Sequence, residues 1–177
     1  MRQLRYSVAA SLDGFIAGPN GEFDWIPMDP EIDFAAMYDG YSALVMGRRS
    51  YEVSVAAAAA GVEGATWPPM PVYVYSRSLP PGERDGVTFA ADAATHVSEL
   101  KASGSGKPIW LWGGGELFAQ LATAGLVDGV DVAVVPVMLG GGIPVLPAPA
   151  MLRLQLKSHR VYSTTGIVFL EYDVRRD

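Results

Sequence analysis

The chain has 177 residues, 50% of them apolar and 18% charged, with a formal net charge of −6. That balance suits one domain with a substantial core, excludes general disorder, and argues against nucleic acid, whose phosphates need clustered Lys and Arg. Cysteine is absent and the histidines are His96 and His159, which leaves no disulfide, no thiolate nucleophile and little basis for a metal centre.

At the N-terminus basic residues precede apolar ones, but Asp13 interrupts the run too early for a signal peptide. No apolar stretch approaches the roughly 20 residues of a membrane span. A cytoplasmic protein is expected. Arg5 to Ser11 reads as a first strand. Leu12 to Gly21 is glycine-rich and reads as a loop, apolar at Phe15 and Ile16. Asp29-Pro30-Glu31 has the signals of a helix start: a capping side chain, proline at the first position and an acid in the first turn. That helix turns Phe34, Met37, Tyr38 and Tyr41 inward and stops near Gly40. Ala43 to Met46 is a buried strand closed by Gly47-Arg48-Arg49-Ser50, and Tyr51 to Ala60 reads as a helix. After a rigid connector, Trp67 to Pro71, the strand Val72 to Tyr75 ends in Ser76-Arg77-Ser78. Val87 to Ala90 is another strand, and Asp92 caps a helix running to about Ser103 that exposes His96.

Ile109 to Trp112 fits a strand buried on both faces. It runs into Gly113-Gly114-Gly115 and a helix from Glu116 to Ala124, with Leu117, Phe118 and Leu121 on one face and Gly125 as the stop. Val130 to Val137 is a further buried strand, followed by a glycine-rich run from Met138 to Pro144. Leu152, Leu154 and Leu156 alternate with polar residues, as do Val168, Leu170, Tyr172 and Val174, and Thr164-Thr165-Gly166 supplies the hairpin turn. The tally is about eight strands and about four helices in a single domain spanning 1–177, an α/β fold of three layers. Its central sheet is mostly parallel with an antiparallel C-terminal edge.

Three clusters follow predicted strand ends: Gly47 to Ser50, Ser76 to Ser78 and Gly113 to Gly115. In a parallel sheet those ends share one edge, where α/β proteins bind ligands. Arginines, hydroxyls and bare amides at helix starts suit a ligand with several phosphates. The competing readings are structural: a glycine turn needing only conformational freedom, a solvated Arg48, and Ser50 as a plain cap. A Walker-type lysine loop and the dinucleotide fingerprint of three spaced glycines are absent.

Together these motifs resemble the dihydrofolate reductase-like superfamily, in particular the branch of the C-terminal reductase domain of bifunctional riboflavin biosynthesis enzymes. The carriers are Ser11 to Gly18, Leu44 to Glu52, Trp112 to Leu117 and Pro136 to Pro144, and the likeness covers essentially the whole chain. It implies the dihydrofolate reductase-like fold, a homodimer joined near sheet edges, and NADPH as cofactor. By motif position, Gly47, Arg48, Arg49 and Ser50 would hold phosphates, and Ser76 and Arg77 the adenosine 2′-phosphate. Gly113, Gly114, Gly115, Glu116 and Leu117 would lie along the pyrophosphate, with Ala10 and Ile16 flanking the nicotinamide.

On the substrate side, reduction of a C=N bond needs hydride at carbon and a proton at nitrogen. Asp13 matches a position near the active-site loop of the riboflavin-type branch, though an Asp-Gly pair also makes a turn. Asp29 is similar to the carboxylate that starts the first helix of folate reductases. Here the segment from Trp25 is one residue shorter before its proline, and Asp29 also reads as a helix cap. Phe15, Phe23, Trp25 and Met28 would wall a flat heterocycle or pack the loop, and Leu139 would border nicotinamide or substrate. The implied activity is NADPH-dependent hydride transfer to a small pterin-like, pyrimidine-like or imine substrate. The alternative is a nucleotide-binding protein without turnover. A riboflavin-pathway substrate would require a second basic phosphate site, and none is evident in the sequence.

Overall fold

In the computed structural model, which describes residues 1–61, 68–104, 106–147 and 151–176, strand β1 (Leu4–Ser11) turns into the short β2 (Phe15–Ala17). Helix α1 (Phe34–Asp39), strand β3 (Ala43–Gly47), helix α2 (Arg48–Ala59) and strand β4 (Val72–Tyr75) follow. Next come β5 (Gly82–Arg84), β6 (Val87–Ala90), helix α3 (Ala93–Ala102), β7 (Ile109–Gly113) and helix α4 (Gly115–Thr123). The chain finishes with β8 (Gly129–Val135), β9 (Ile143–Pro144), β10 (Leu154–Val161) and β11 (Val168–Val174). Trp67 of the expected connector lies outside the described residues.

The nine-stranded sheet has the order β10-β11-β8-β1-β7-β3-β4-β6-β5. Pairings are parallel from β8 through β6 and antiparallel at both edges. Alternation along the strands sorts side chains between two faces. Val45, Ile109 and Leu111 pack with Tyr6 against Val97 of α3 and Leu117, Phe118 and Leu121 of α4. Leu44, Met46, Val74 and Trp110 pack on the other face against Met37 and Tyr38 of α1 and Tyr51 of α2. The result is helices on both faces of one sheet, as expected. Tyr6 and Phe118 stack at 3.9 Å between ring centroids, and burying side chains of this size contributes roughly 1.5–3 kcal/mol each.

Several expectations need correction. The first helix starts at Phe34 and not at Pro30: Asp33 is its cap, accepting the Ala36 N–H at 2.9 Å. Asp29 is not the cap, because its carboxylate accepts the Thr165 hydroxyl at 2.6 Å and the Glu31 N–H at 2.8 Å. The strand count rises because β2, β5 and β9 span only two or three residues each, too few for a periodic signal. Strand β10 begins at Leu154 and lies at the sheet edge, so it is exposed on both faces and not half-buried. His96 is half-buried against Tyr73 and Tyr75, its Nδ1 lying 3.2 Å from the Tyr75 hydroxyl. Arg5, expected at the start of the first strand, is buried there and paired with Asp131 at 2.6 Å. Asp131 holds the guanidinium firmly in its protonated form, its pKa raised above the usual value by their hydrogen bonds.

Candidate functional site

A cleft of about 1580 Å³ runs across the carboxyl ends of the parallel strands. The order of the sheet builds it. Strand β7 sits between β1 and β3, and β4 lies beside β3, so loops distant in sequence emerge side by side. Gly47, Arg48, Arg49 and Ser50 line the cleft after β3, Ser76 and Arg77 after β4, and Gly113, Gly114, Gly115, Glu116 and Leu117 after β7. The three clusters singled out in the sequence therefore share one cavity.

Two helices begin at this wall. Helix α2 is capped by Gly47 and α4 by Gly114, neither with a side-chain hydrogen bond. Their first amides are thus left for solvent or a ligand, and the helix dipole adds partial positive charge at that end. Gly113 has φ of 141°, a conformation that favours glycine, and the Gly113–Gly114 peptide is cis. Gly115 is needed for space: a Cβ there would lie 2.8 Å from the Pro144 carbonyl oxygen and 3.1 Å from Pro147. The Ser50 side chain sits over this turn, 3.5 Å from where a Gly114 Cβ would be.

The cations here are loosely held. Arg48 pairs with Glu52 at 2.8 Å and Arg49 with Glu116 at 3.6 Å, all four side chains well exposed. Such pairs contribute little and yield readily to a stronger anion. Ser76 is buried, and its Oγ accepts the N–H groups of Ser78 at 3.2 Å and Leu79 at 3.0 Å. It shapes the loop that carries Arg77.

Toward β1, β8 and β11 the cleft changes character. Phe23, Ile26 and Met28 wall it from the segment between β2 and α1, Phe34 from the start of α1, and Tyr162 and Phe169 from the C-terminal hairpin. Phe23 and Met28 thus match the expected apolar wall, whereas Trp25 does not line it. Trp25 packs with Val135 and Ile167 and donates its Nε1–H to the Glu22 carbonyl at 3.0 Å. Phe15 also stays outside the lining, paired with Pro144 in the two-stranded sheet. Ile16 lines the cleft, and on β1 Ser7, Val8 and Ala9 do so, not the buried Ala10. The contributions of Tyr162 and Phe169 carry no sequence signal beyond strand alternation, since only tertiary packing brings the hairpin over the cleft.

Neither candidate acid lines the cavity. Asp13 accepts the backbone N–H groups of Leu139 at 3.1 Å and Gly140 at 2.7 Å. This clasp ties the turn after β1 to the loop after β8, whose end supplies Ile143 and Pro144 to the cleft. Leu139 takes part in the clasp through its main chain and is not a lining residue. Hydrogen bonding, from Ser11 first, lowers the pKa of Asp13, and that from Thr165 lowers the pKa of Asp29. Both carboxyls are held ionised, opposite to what a proton donor needs.

The two cleft ends offer different chemistry. One combines uncapped helix starts, hydroxyls and arginines, a donor set that fits a polyphosphate. The other offers an aromatic and aliphatic slot for a flat ring.

Comparison with known proteins gives a consistent result. The family model described as the RibD C-terminal domain matches residues 2–168. The uncharacterised protein YyaP of Bacillus subtilis (strain 168) is 30% identical over 179 residues, covering 97% of this chain and 94% of that protein. A putative riboflavin biosynthesis protein from Shewanella sp. PV-4 superimposes with a TM-score of 0.79 at 25% identity, covering 99% of this chain and 100% of the other. Dihydrofolate reductase from Enterococcus faecalis, solved with NADP(H) and RAB-propyl, matches with a TM-score of 0.69 at 17% identity over 99% and 97% of the two chains.

Proposed function

This chain belongs to the RibD C-terminal domain family and has a dihydrofolate reductase-like fold, and on that premise we propose that it is an NADPH-dependent reductase of small heterocyclic or imine-like acceptors. The observation that carries the reading is the convergence of Arg48, Ser76 and Gly114 on one cleft. Bound there, NADPH supplies the hydride. The uncapped starts of α2 and α4 hold the pyrophosphate, and Arg77 with the Ser76 loop takes the adenosine 2′-phosphate. Ile16 and Ala9 border the nicotinamide, and Phe23, Met28 and Phe34 orient the acceptor ring beside it. The contribution to rate is juxtaposition within a largely apolar slot.

Asp13 and Asp29 act as positioning residues in this scheme. Asp13 fixes the loop that carries Ile143 and Pro144, and Asp29 anchors the hairpin turn through Thr165. The proton for nitrogen comes from water admitted through the open cleft. Exposed strand β10, with Leu154 and Leu156 on its surface, supports a homodimer joined along that edge, to be checked by light scattering.

Titration with NADPH, followed by nicotinamide fluorescence, tests the cofactor reading; no saturation in the tens of micromolar would defeat it. The engagement of both candidate acids favours one second reading, a dinucleotide-binding protein without turnover. It predicts saturable binding with no NADPH oxidation across pterin, pyrimidine, imine and carbonyl acceptors.

A further inference from the structure

We infer that the substrate carries no phosphate and that the reducing end of the cleft takes a flat, apolar acceptor. This deepens the reading above and rests on it, because it treats the polar end as the dinucleotide site. Positive charge is unevenly placed around the cleft. All 13 lysines and arginines of the chain lie within the described residues. Those lining the cleft are Arg48, Arg49 and Arg77, all placed directly after β3 and β4.

The far end lies under β8 and β11. Four strand spacings separate β3 from β11 in the sheet, about 19 Å at the usual interstrand distance, beyond the reach of an arginine side chain. Elsewhere, Arg5 and Lys101 are buried in ion pairs with Asp131 and Asp128. Arg160, on β10, lies 4.6 Å over the Tyr162 ring and pairs with Glu31 at 3.4 Å, outside the lining. The segment walling the apolar end, residues 22–34, contains Glu22, Asp24, Asp29, Glu31 and Asp33 and no lysine or arginine. Its one helix start is also taken, since the Asp33 carboxylate already caps α1.

A phosphate dianion placed there would exchange water for an apolar lining that holds no lysine or arginine. Phosphate-bearing acceptors are therefore disfavoured by missing attraction, whereas a neutral ring meets Phe23, Met28 and Phe34 at no such cost.

The test uses the full chain, pyrophosphate and NADP⁺. Equilibrium dialysis is expected to find pyrophosphate bound to the free protein, displaced by NADP⁺, and absent from the NADP⁺-saturated protein. Turnover with NADPH is then measured on heterocycles paired with their own phosphate esters. The unphosphorylated member of each pair should show kcat/KM at least about tenfold higher. Saturable pyrophosphate binding to NADP⁺-loaded protein, or equal or faster turnover of the esters, overturns the inference while leaving the cofactor reading intact. Failure of NADP⁺ to bind or to displace pyrophosphate overturns the cofactor reading, and this inference with it.

Discussion

Helices α1 and α3 begin differently from α2 and α4, and the difference marks the wall after β3 and β7. Asp33 and Asp92 cap the first pair, each accepting a backbone N–H through its side chain. Gly47 and Gly114 cap the second pair with no side chain at all. An aspartate cap neutralises the partial positive charge that a helix start carries. The two starts that follow β3 and β7 keep that charge and the free donors. Capping has been withheld where the binding reading places the pyrophosphate, and supplied at the other two starts.

The sharpest way to break this contrast is to give α2 the cap that it lacks. A Cβ at Gly47 would meet nothing closer than 3.8 Å, and its φ of −80° suits any residue. Gly47→Asp should leave the melting temperature unchanged or slightly higher. It should weaken NADPH about tenfold to a hundredfold, because a carboxylate then occupies the anion's place; unchanged affinity by fluorescence titration would remove the contrast's functional meaning. Next in size, Arg77→Ala should weaken NADPH by about tenfold and leave NADH unaffected, read as a change in the ratio of the two dissociation constants. Asp13→Ala should raise KM a few-fold through a loosened Leu139–Gly140 loop, with a smaller change in kcat.

At the capped start of α3, Asp92→Ala should lower the melting temperature by about 2–4 °C with little change in NADPH affinity. The smallest effect concerns pH. The hydroxyl of Thr95, with its N–H, holds the Asp92 carboxyl below its usual pKa. Its stabilisation is therefore complete above the ordinary carboxylate value of about 4 and drains away as pH falls through the lower, folded value. Asp92→Asn keeps a capping oxygen without titrating, and should show a shallower loss of stability across that acid range in thermal melts.

Much of this was legible from residue order. The strand at Val72–Tyr75, the cap at Asp92 and the three clusters of the cleft emerged from local pattern, because each is decided within a few neighbouring positions. Asp29 shows where local pattern loses. Asp-Pro-Glu is a strong helix-start signal, yet a hydroxyl 136 residues away takes the carboxylate, and the helix waits for Asp33. The apolar end was harder for the same reason. Tyr162 and Phe169 reach it only because the C-terminal hairpin docks beside β8, and nothing in their own neighbourhood announces that contact. Phe15 and Trp25 had the right chemistry, but packing turned them elsewhere.

The insertion of β7 between β1 and β3 has a temporal consequence. A partly synthesised polypeptide that ends before residue 109 lacks the strand separating the two earlier ones, so the anion-holding wall is among the last features completed. A dinucleotide captured there would recognise only molecules whose sheet has closed, and by mass action would hold them in that state. Occupancy would then double as a certificate of maturity, distinguishing finished molecules from those still open to degradation.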